Sequence, residues 1–394
     1  MEALFKRKLV AQICQRLAEP RRFIQVIAGP RQTGKTTAVL QALEESGFQS
    51  RFVSADDPNL SSVEWIRNEW EAARLEQKKA ENFVFVIDEI QKIPKWSEMV
   101  KLLWDEDSRK KIPLKIILTG SSVLLLQKGM KESLMGRFEL LYCPHWNFAE
   151  CREAFGYTLE DFLYFGGYPG AAVLKENEER WMRYIGNSII EPSISQDILF
   201  MEEVRKPALM KALFTLGAGY SAQELSYTKI LGQLQDAGNT VTIAHYLELL
   251  AKANIICGLQ KFSESKLKVR QSSPRFMVFD TSLMTYSHGS TRKTFLENAT
   301  VRGHLIESAV GAYLLSRARE EGFEVYWWRD REKEVDFVLQ KGKNIIAIEV
   351  KSGKVKHIGG YLDFKKKYPQ ARAFVIGDSN CSLEDFLLGK VDLF

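Results

Sequence analysis

The fold of the amino-terminal part is decided by the stretch Gly29-Pro30-Arg31-Gln32-Thr33-Gly34-Lys35-Thr36, which satisfies every fixed position of the pattern G-x-x-x-x-G-K-[ST]. An apolar run at residues 23–28 precedes the stretch, and a helical pattern at residues 37–43 follows it. A strand, a glycine-rich loop and a helix in this order make a phosphate-binding loop, whose backbone N–H groups close around phosphate oxygens. We expect Lys35 to reach the β- and γ-phosphates and Thr36 to hold Mg²⁺.

A second motif lies downstream, where an apolar run at residues 83–87 ends in Asp88 and Glu89. A continuous apolar run of this length predicts a buried parallel strand. Because ligands of open α/β sheets sit beyond the carboxyl ends of the strands, we expect Asp88 to face the Mg²⁺ site from the strand next to that of the loop. Glu89 is then placed to orient or polarise an attacking water, the step that hydrolysis requires.

Three further residues in this region are candidates for contact with the γ-phosphate. A third apolar strand, at residues 114–118, ends in Thr119 and Ser121, whose hydroxyls could sense the γ-phosphate or its water. Arg137 precedes another strand, and its forked guanidinium could sense the same phosphate or reach the nucleotide of a neighbouring subunit. A surface salt bridge is the alternative for Arg137. The predicted nucleotide-binding residues are Gly29, Pro30, Arg31, Gln32, Thr33, Gly34, Lys35, Thr36, Thr37, Asp88 and Thr119.

Length and composition indicate several folded domains. The chain has 394 residues, of which 45% are hydrophobic and 27% charged, which allows two to four domains. The five cysteines form no C-x-x-C pair, and the five histidines lack metal-ligand spacing, so neither a disulfide framework nor a zinc site is predicted. The sequence shows no signal-peptide core and no apolar run of membrane-spanning length. We therefore expect a cytoplasmic protein without a membrane contact.

Positive charge is concentrated in one segment. The whole chain has a net charge of +5, yet residues 205–294 contain twelve Lys and Arg against five Asp and Glu, a net charge of +7. Residues 1–204 have a net charge of −3 and residues 295–394 of +1. Such a concentration is expected of a nucleic-acid contact. The alternative is a lysine-rich solvated surface.

The order of predicted elements divides the chain into four parts. Residues 1–148 alternate strands and helices, which predicts an α/β domain with a parallel sheet. Residues 149–205 are predicted to be a helical lid. Residues 206–294 contain helical patterns at 207–217, 221–235 and 240–253, with Ser221 and Thr240 as caps, followed by a basic hairpin. This is the composition of a winged helix, which contacts DNA or serves only in protein packing. Residues 295–394 form the fourth part.

The fourth part contains a candidate metal site. A helix at residues 300–316 contains Glu307, and a predicted hairpin contains Asp336 on one strand and Glu349 and Lys351 on the next. Alternation along a strand puts Glu349 and Lys351 on one face, which Asp336 could share. Three carboxylates and a lysine would make an oxygen site for Mg²⁺ that activates water beside a scissile phosphate. The open alternative is a nuclease-like fold used only for binding.

With these residues identified, the chain resembles a prokaryotic family of AAA+-type predicted ATPases with a carboxy-terminal PD-(D/E)xK domain, a fold like that of restriction endonucleases. The matching motifs are Gly29–Thr36, Ile87–Gln91, Leu118–Ser122, Gly136–Arg137, the lid motif Phe165–Pro169, Trp328–Arg329, Glu334–Phe337 and Ile348–Gly353. The resemblance implies an α/β multidomain protein: a P-loop AAA+ core, a helical lid, a winged-helix middle domain and a restriction-endonuclease-like α/β domain.

The resemblance also implies an activity. It implies that Lys35, Thr36, Asp88 and Glu89 bind and hydrolyse ATP with Mg²⁺. It implies nuclease roles for Glu307, Asp336, Glu349 and Lys351, with Glu307, Asp336 and Glu349 as metal ligands. The same fold includes Holliday-junction resolvases, so branched DNA, held by residues 206–294, is the expected substrate. AAA+ relatives usually form rings, so the resemblance implies a homo-oligomer, which would let Arg137 act across a subunit interface.

Two functions therefore remain open. The first is an ATP-driven DNA-processing enzyme that remodels DNA and cuts it with Mg²⁺. The second is a nucleotide-dependent switch or scaffold whose nuclease-like domain is inert. A gap wide enough for a metal among Asp336, Glu349 and Lys351 would favour the first, and a salt bridge filling that gap would favour the second.

Overall fold

The computed structural model describes residues 5–56, 62–121, 133–198, 204–234, 238–263, 273–351, 360–377 and 381–394. The chain forms two compact units, residues 1–144 and 145–394. No helix in these described ranges is both long and apolar enough to cross a membrane.

The amino-terminal unit is built on a parallel five-stranded sheet. Its elements are α1 (Lys8–Ala18), β1 (Ile24–Ala28), α2 (Lys35–Ser46), β2 (Gln49–Ser54), α3 (Val63–Gln77), β3 (Phe83–Asp88), α4 (Trp96–Lys110), β4 (Lys115–Gly120) and β5 (Phe138–Tyr142). The strand order is β2-β3-β4-β1-β5, and all the strand pairs are parallel. β4 thus lies between β1 and β3, so the expectation that the Asp88 strand is the direct neighbour of the loop strand is wrong.

Both faces of this sheet are covered, which explains the continuous apolar runs. Along β3, Phe85 and Ile87 belong to the core formed with α3 and α4. Val84 and Val86 belong to the opposite core, formed with α1 and α2. Alternate side chains of one strand therefore enter different cores, and the strand ends where Asp88 reaches the carboxyl edge of the sheet.

A buried polar contact joins α3 to α4. The Asp107 carboxylate is fully buried and accepts hydrogen bonds from Trp70 Nε1 at 2.8 Å and from Arg74 Nε at 2.7 Å. Arg74 is also buried, and its guanidinium donates to the Leu103 carbonyl at 3.2 Å. The contact fixes the two helices relative to each other on the face that also buries Trp70.

The carboxy-terminal unit begins with helices. Its first elements are α5 (Phe148–Phe155), α6 (Leu159–Phe165), α7 (Pro169–Ala172), α8 (Glu178–Tyr184), and π-helical turns at Ile185–Ile190 and Ser193–Ile198. Next come α9 (Pro207–Gly219), α10 (Tyr227–Gln233), α11 (Thr240–Lys252), β6 (Ile256–Leu259), β7 (Arg275–Val278), α12 (Thr281–His288), α13 (Arg292–Glu297) and α14 (Ala299–Glu321). The last elements are β8 (Glu324–Asp330), β9 (Lys333–Lys341), β10 (Asn344–Val350), α15 (Gly360–Lys367), β11 (Arg372–Ile376) and α16 (Leu383–Leu387).

The middle of this unit has three helices, α9 to α11, followed by the antiparallel pair β6–β7. The two helix caps differ from those predicted. Ser221 is buried, and its hydroxyl lies 2.7 Å from that of Ser308, so it does not cap a helix. α10 begins later than predicted and is capped by Ser226, while Asn239 rather than Thr240 caps α11. Both true caps accept a hydrogen bond from a backbone N–H in the first turn, as caps of this type do.

The last part of the unit contains a mixed four-stranded sheet of order β11-β10-β9-β8. β10 is parallel to β11 and antiparallel to β9, which is antiparallel to β8. Tyr326 lies opposite Val338, but Trp328 lies opposite Val335, so β9 has an extra residue at positions 336–337. Asp336 lies in this β-bulge. Bulges change the direction of a side chain, which motif spacing in the sequence does not reveal.

Candidate active site

The phosphate-binding loop connects β1 to α2 at the carboxyl edge of the sheet. A Cβ atom at Gly29 would lie 2.0 Å from the Cys143 carbonyl oxygen, so this position requires glycine. Gly34 has φ +88° directly before α2, a conformation that side chains strain. Of the other predicted loop residues, Arg31 is half-buried, and Gln32 and Thr37 are exposed.

The loop lysine is buried against the loop itself. Lys35 Nζ donates hydrogen bonds to the carbonyls of Pro30 at 2.6 Å and Gly29 at 3.2 Å. The Thr33 hydroxyl donates to the same Pro30 carbonyl at 3.0 Å. The loop is therefore closed and its ammonium group already lies inside it, next to the N-terminus of α2 where phosphate binds.

Arg7 supports the loop from outside the motif, and sequence reasoning did not identify it. Its buried guanidinium donates to the Thr33 carbonyl at 3.1 Å and to the Pro144 carbonyl at 2.9 Å. The same group lies 3.2 Å from Cys143 Sγ. Arg7 thus connects the phosphate loop to the chain that leaves β5. A lone arginine directly before α1 has no sequence pattern that reveals this role.

Thr36 and Asp88 meet although β4 separates their strands. The Thr36 hydroxyl lies 3.2 Å from each Asp88 carboxylate oxygen, and the buried Thr119 hydroxyl donates to Asp88 Oδ1. Burial raises the pKa of Asp88, the Thr119 hydrogen bond opposes this shift, and the Glu89 charge adds to it. Three oxygen-bearing side chains from α2, β3 and β4 therefore converge at one point.

Glu89 is held beside this point by a second group of contacts. It adopts φ +53°, and its backbone N–H donates to Thr119 Oγ1 at 3.3 Å. Its Oε2 accepts hydrogen bonds from the Ser121 hydroxyl at 2.7 Å and from the Gln91 amide. Thr119 and Ser121, predicted to sense the γ-phosphate, thus hold the two carboxylates. Gln91 was not predicted as a site residue.

Arg137 lies at the opposite edge of the sheet. It directly precedes β5, and its carbonyl accepts a hydrogen bond from the Ile24 N–H at the start of β1. β1 is five residues long, so about 16 Å of strand separates Arg137 from the phosphate loop. The guanidinium instead forms a two-pronged ion pair with Asp105 at 2.7 and 3.0 Å. Arg137 therefore does not sense the γ-phosphate of its own subunit, and contact with a neighbour's nucleotide stays a prediction.

In the carboxy-terminal unit, the predicted metal ligands surround an arginine. Arg275 of β7 is buried, with 4% exposure, and forms ion pairs with Glu307 at 2.7 Å, Glu334 at 2.6 Å and Asp336 at 3.5 Å. Burial raises the pKa of the Glu307 carboxyl, the Asp336 charge adds to this shift, and Arg275 opposes it. Burial likewise raises the pKa of Asp336 against the effect of Arg275. Sequence reasoning identified Glu307 and Asp336 but not Arg275.

Glu349 and Lys351 form a separate pair. Lys351 Nζ donates to Glu349 Oε1 at 2.6 Å, whereas Glu349 Oε2 is buried without a hydrogen-bond partner among the described residues. Asp336 Oδ2 accepts the Val350 N–H at 2.8 Å. Within the part of the chain that the structure describes, no three His, Cys, Asp or Glu side chains are placed to hold a metal ion. The set Glu307, Asp336 and Glu349 does not fit Mg²⁺ as arranged, because salt bridges occupy it.

The basic segment is partly neutralised by acids outside it. Besides Arg275, Arg292 pairs with Asp161 at 2.7 Å, and Lys211 pairs with Glu191 at 2.7 Å. α11, the third helix of the predicted winged-helix part, exposes Val241, His245 and Glu248. Three cations of the segment, Lys266, Lys268 and Arg270, lie outside the described residues. The net charge of +7 that residues 205–294 carry in the sequence is therefore partly offset by ion pairs on the part of the surface that the structure describes.

The predicted lid motif packs against an aspartate of the predicted winged-helix part. The Gly167 N–H donates to Asp280 Oδ2 at 2.7 Å, and a Cβ at Gly166 would lie 2.0 Å from Asp280 Oδ1. Asp280 is buried and also caps α12 through the Ser282 N–H. Gly166 is required by this close approach, and Gly167 is required because a Cβ there would lie 2.2 Å from the Trp146 carbonyl oxygen, so here the motif has a packing role.

The fold and the amino-terminal site define a P-loop ATPase domain of the AAA+ class. In agreement, residues 21–152 match the family model described as AAA domain. Residues 156–294 match a domain of unknown function, DUF8612, and residues 302–388 match another, DUF4143. These matches name no nuclease and no winged helix, so both stay predictions. No curated protein matches the chain.

Solved structures provide distant likenesses. The Aeropyrum pernix ORC1 protein, solved in complex with DNA, is 12% identical with a TM-score of 0.32, over 73% of this chain and 93% of that one. The Thermotoga maritima RuvB Holliday junction branch migration motor is 17% identical with a TM-score of 0.34, over 63% of this chain and 88% of that one.

Proposed function

We propose that the chain hydrolyses ATP at the carboxyl edge of its parallel sheet. The observation that supports this most directly is the convergence of Thr36, Asp88 and Thr119, with Glu89 held beside them. Hydroxyl and carboxylate oxygens are the ligands that Mg²⁺ prefers, so these residues fit a magnesium–nucleotide complex. Thr36 and Asp88 would hold the metal, which when bound neutralises charge on the phosphate oxygens.

The remaining side chains divide the work of hydrolysis. The N–H groups at the start of α2 bind the phosphates, and Lys35 exchanges its loop carbonyls for phosphate oxygens. Glu89 orients the attacking water and accepts its proton. Ser121 and Gln91 restrain Glu89 through its Oε2 atom, so their release would set the carboxylate free to act.

We propose that this ATP cycle operates a switch rather than a DNA-cutting machine. The support is the salt bridging of the nuclease-like residues, since Arg275 engages Glu307 and Asp336, and Lys351 engages Glu349. In this account the carboxy-terminal unit is a non-cutting module whose state follows nucleotide binding. The protein would assemble as a ring, with Arg137 contacting the nucleotide of the adjacent subunit.

The second candidate is an ATP-driven enzyme that remodels branched DNA and cuts it with Mg²⁺. The observation that favours it is the basic connection between β6 and β7, which contains Lys261, Lys266, Lys268 and Arg270. A basic hairpin beside three helices is where a winged helix touches the DNA backbone.

One assay distinguishes the two candidates. ATP hydrolysis is measured with Mg²⁺ in the presence and absence of a four-way DNA junction, and strand cleavage is read from the same sample. The switch predicts hydrolysis that the junction does not change, and no cleavage. Stimulation with cleavage would establish the second candidate, and stimulation without cleavage a non-cutting DNA motor. Lys35→Ala is the control, since it removes the loop ammonium group and with it hydrolysis.

A further inference from the structure

The carboxylates that were predicted to bind Mg²⁺ surround a side chain that is itself a cation. Arg275 places its guanidinium within ion-pair distance of Glu307, Glu334 and Asp336. We propose that Arg275 is the resident cation of this cluster and takes the place that a divalent metal would need.

The arginine is fixed in position by more than charge. Arg275 Nε donates to the Ala222 carbonyl at 2.9 Å, which orients the plane of the guanidinium toward the acids. Nη1 then reaches Glu334 and Nη2 reaches Glu307, each in a charge-assisted hydrogen bond. Three donors in a rigid fork match three acceptors, an arrangement that lysine cannot reproduce.

The acids are committed to these partners as well. Asp336 uses Oδ2 to accept the Val350 N–H, and its Oδ1 faces Arg275. Glu334 gives Oε1 to Arg275 and Oε2 to Arg329 at 2.6 Å. A divalent ion at this point would have to break these bonds and would be repelled by the buried guanidinium.

The cluster lines a polar cavity of about 580 Å³, which His304 and Lys229 also line. Access is therefore not the obstacle to a metal. The obstacle is the charge that is already there, since Arg275 has only 4% exposure and cannot move to solvent without leaving these partly buried carboxylates without its charge.

Arg275 and its partners come from different matched segments. Arg275 lies in residues 156–294, and Glu307, Glu334 and Asp336 lie in residues 302–388. The ion pairs thus fasten β7 to α14 and β9, and the acidic residues serve this attachment instead of metal binding.

The test is Mn²⁺ binding to the full chain, followed by electron paramagnetic resonance. All proteins contain Asp88→Asn, so that the ATP site does not contribute. Adding Arg275→Met should create a Mn²⁺ site at least about tenfold tighter than any in the Asp88→Asn parent. The new site should disappear again when Asp336→Asn is added. A folded Arg275→Met protein without this gain would overturn the proposal.

Two matched variants separate charge from other effects. Arg275→Lys keeps a cation and should gain no Mn²⁺ site. Arg329→Met removes the half-exposed arginine that shares Glu334 and should also gain none. If Arg275→Met does not fold, the test uses the Asp88→Asn parent, which keeps Arg275. Mn²⁺ binding by this parent that is lost when Asp336→Asn is added would contradict the proposal. The outcome does not depend on ATP hydrolysis.

Discussion

Asp88 is the residue at which function and stability oppose each other. Its carboxylate is buried and lies next to Glu89, which raises its pKa, while Thr119 and Thr36 donate hydrogen bonds that lower it. The ionised form of Asp88, which a metal ion would require, is therefore energetically unfavourable in the protein without nucleotide. This carboxylate was predictable, because a continuous apolar strand ending in Asp-Glu places it at the sheet edge. Arg7 and Arg275 were not, because each acts through distant contacts that no local spacing encodes.

Asp88→Asn should stabilise the nucleotide-free protein at neutral pH while removing ATP hydrolysis. The folded-state pKa of Asp88 is raised above its ordinary value, so the ionised form destabilises the fold at neutral pH. Stability recovers as pH falls through that folded-state pKa. The gain in melting temperature from Asn should thus be largest near neutral pH and shrink toward acid pH. Thermal unfolding across this range measures it.

The control for this prediction is Glu81→Gln, an exposed carboxylate in the same unit, which should leave the melting temperature unchanged at every pH. A lower melting temperature for Asp88→Asn at neutral pH would show that its hydrogen bonds outweigh the cost of burying its charge.

At the scale of elements, β3 shows what sequence can specify. Its alternate side chains enter two cores, so its burial and parallel pairing follow from its apolar run. The order of the strands in the sheet cannot be predicted from these runs, because the apolar pattern would be the same whether or not β4 lay between β1 and β3. The β-bulge at Asp336 was equally hidden, since one extra residue changes a side chain's direction without changing composition.

The contact between α3 and α4 should be a large contributor to stability. Asp107→Ala removes the partner of Trp70 Nε1 and the only fully buried carboxylate partner of Arg74 among the described residues. The buried guanidinium is left with the carboxylates of Glu71 and Glu106. We expect a loss of about 3 kcal/mol. Denaturant unfolding measures this loss. Because a ligand stabilises the unit that binds it, the unfolding transition that shifts when ATP is added is the one that belongs to the amino-terminal unit.

The matched control is Lys110→Ala, which breaks an exposed pair with Glu106 on the same helix and should cost less than about 1 kcal/mol. Equal losses for the two variants would mean that burial does not strengthen the Asp107 contact.

The position of Arg137 in the sheet bears on whether the protein assembles from several subunits. Arg137 stands at the amino edge of the sheet and the ATP site at the carboxyl edge, so only another subunit could bring them together. The motif Gly136–Arg137 identified the residue, and its place before a strand of a parallel sheet is enough to put it at the amino edge.

Arg137→Ala should keep ATP affinity and lose hydrolysis. Mixing it with Lys35→Ala should restore part of the activity, because an interface then pairs an intact ATP site with an intact arginine. Asp105→Ala, which removes the ion-pair partner but keeps Arg137, should retain hydrolysis. If Arg137→Ala hydrolyses ATP at the wild-type rate, and mixing it with Lys35→Ala gives no further gain, then Arg137 forms only a surface ion pair.

The fate of bound nucleotide in Glu89→Gln tests whether this chain hydrolyses ATP through the Glu89 carboxylate. The wild-type protein and this variant are each incubated with ATP and Mg²⁺, and the bound nucleotide is analysed by chromatography. Glu89→Gln should bind ATP with unchanged affinity, because Lys35, Thr36 and Asp88 are intact. It should retain ATP uncleaved, with hydrolysis slowed by about 10²- to 10⁴-fold. ADP formed at the wild-type rate by Glu89→Gln would contradict the account.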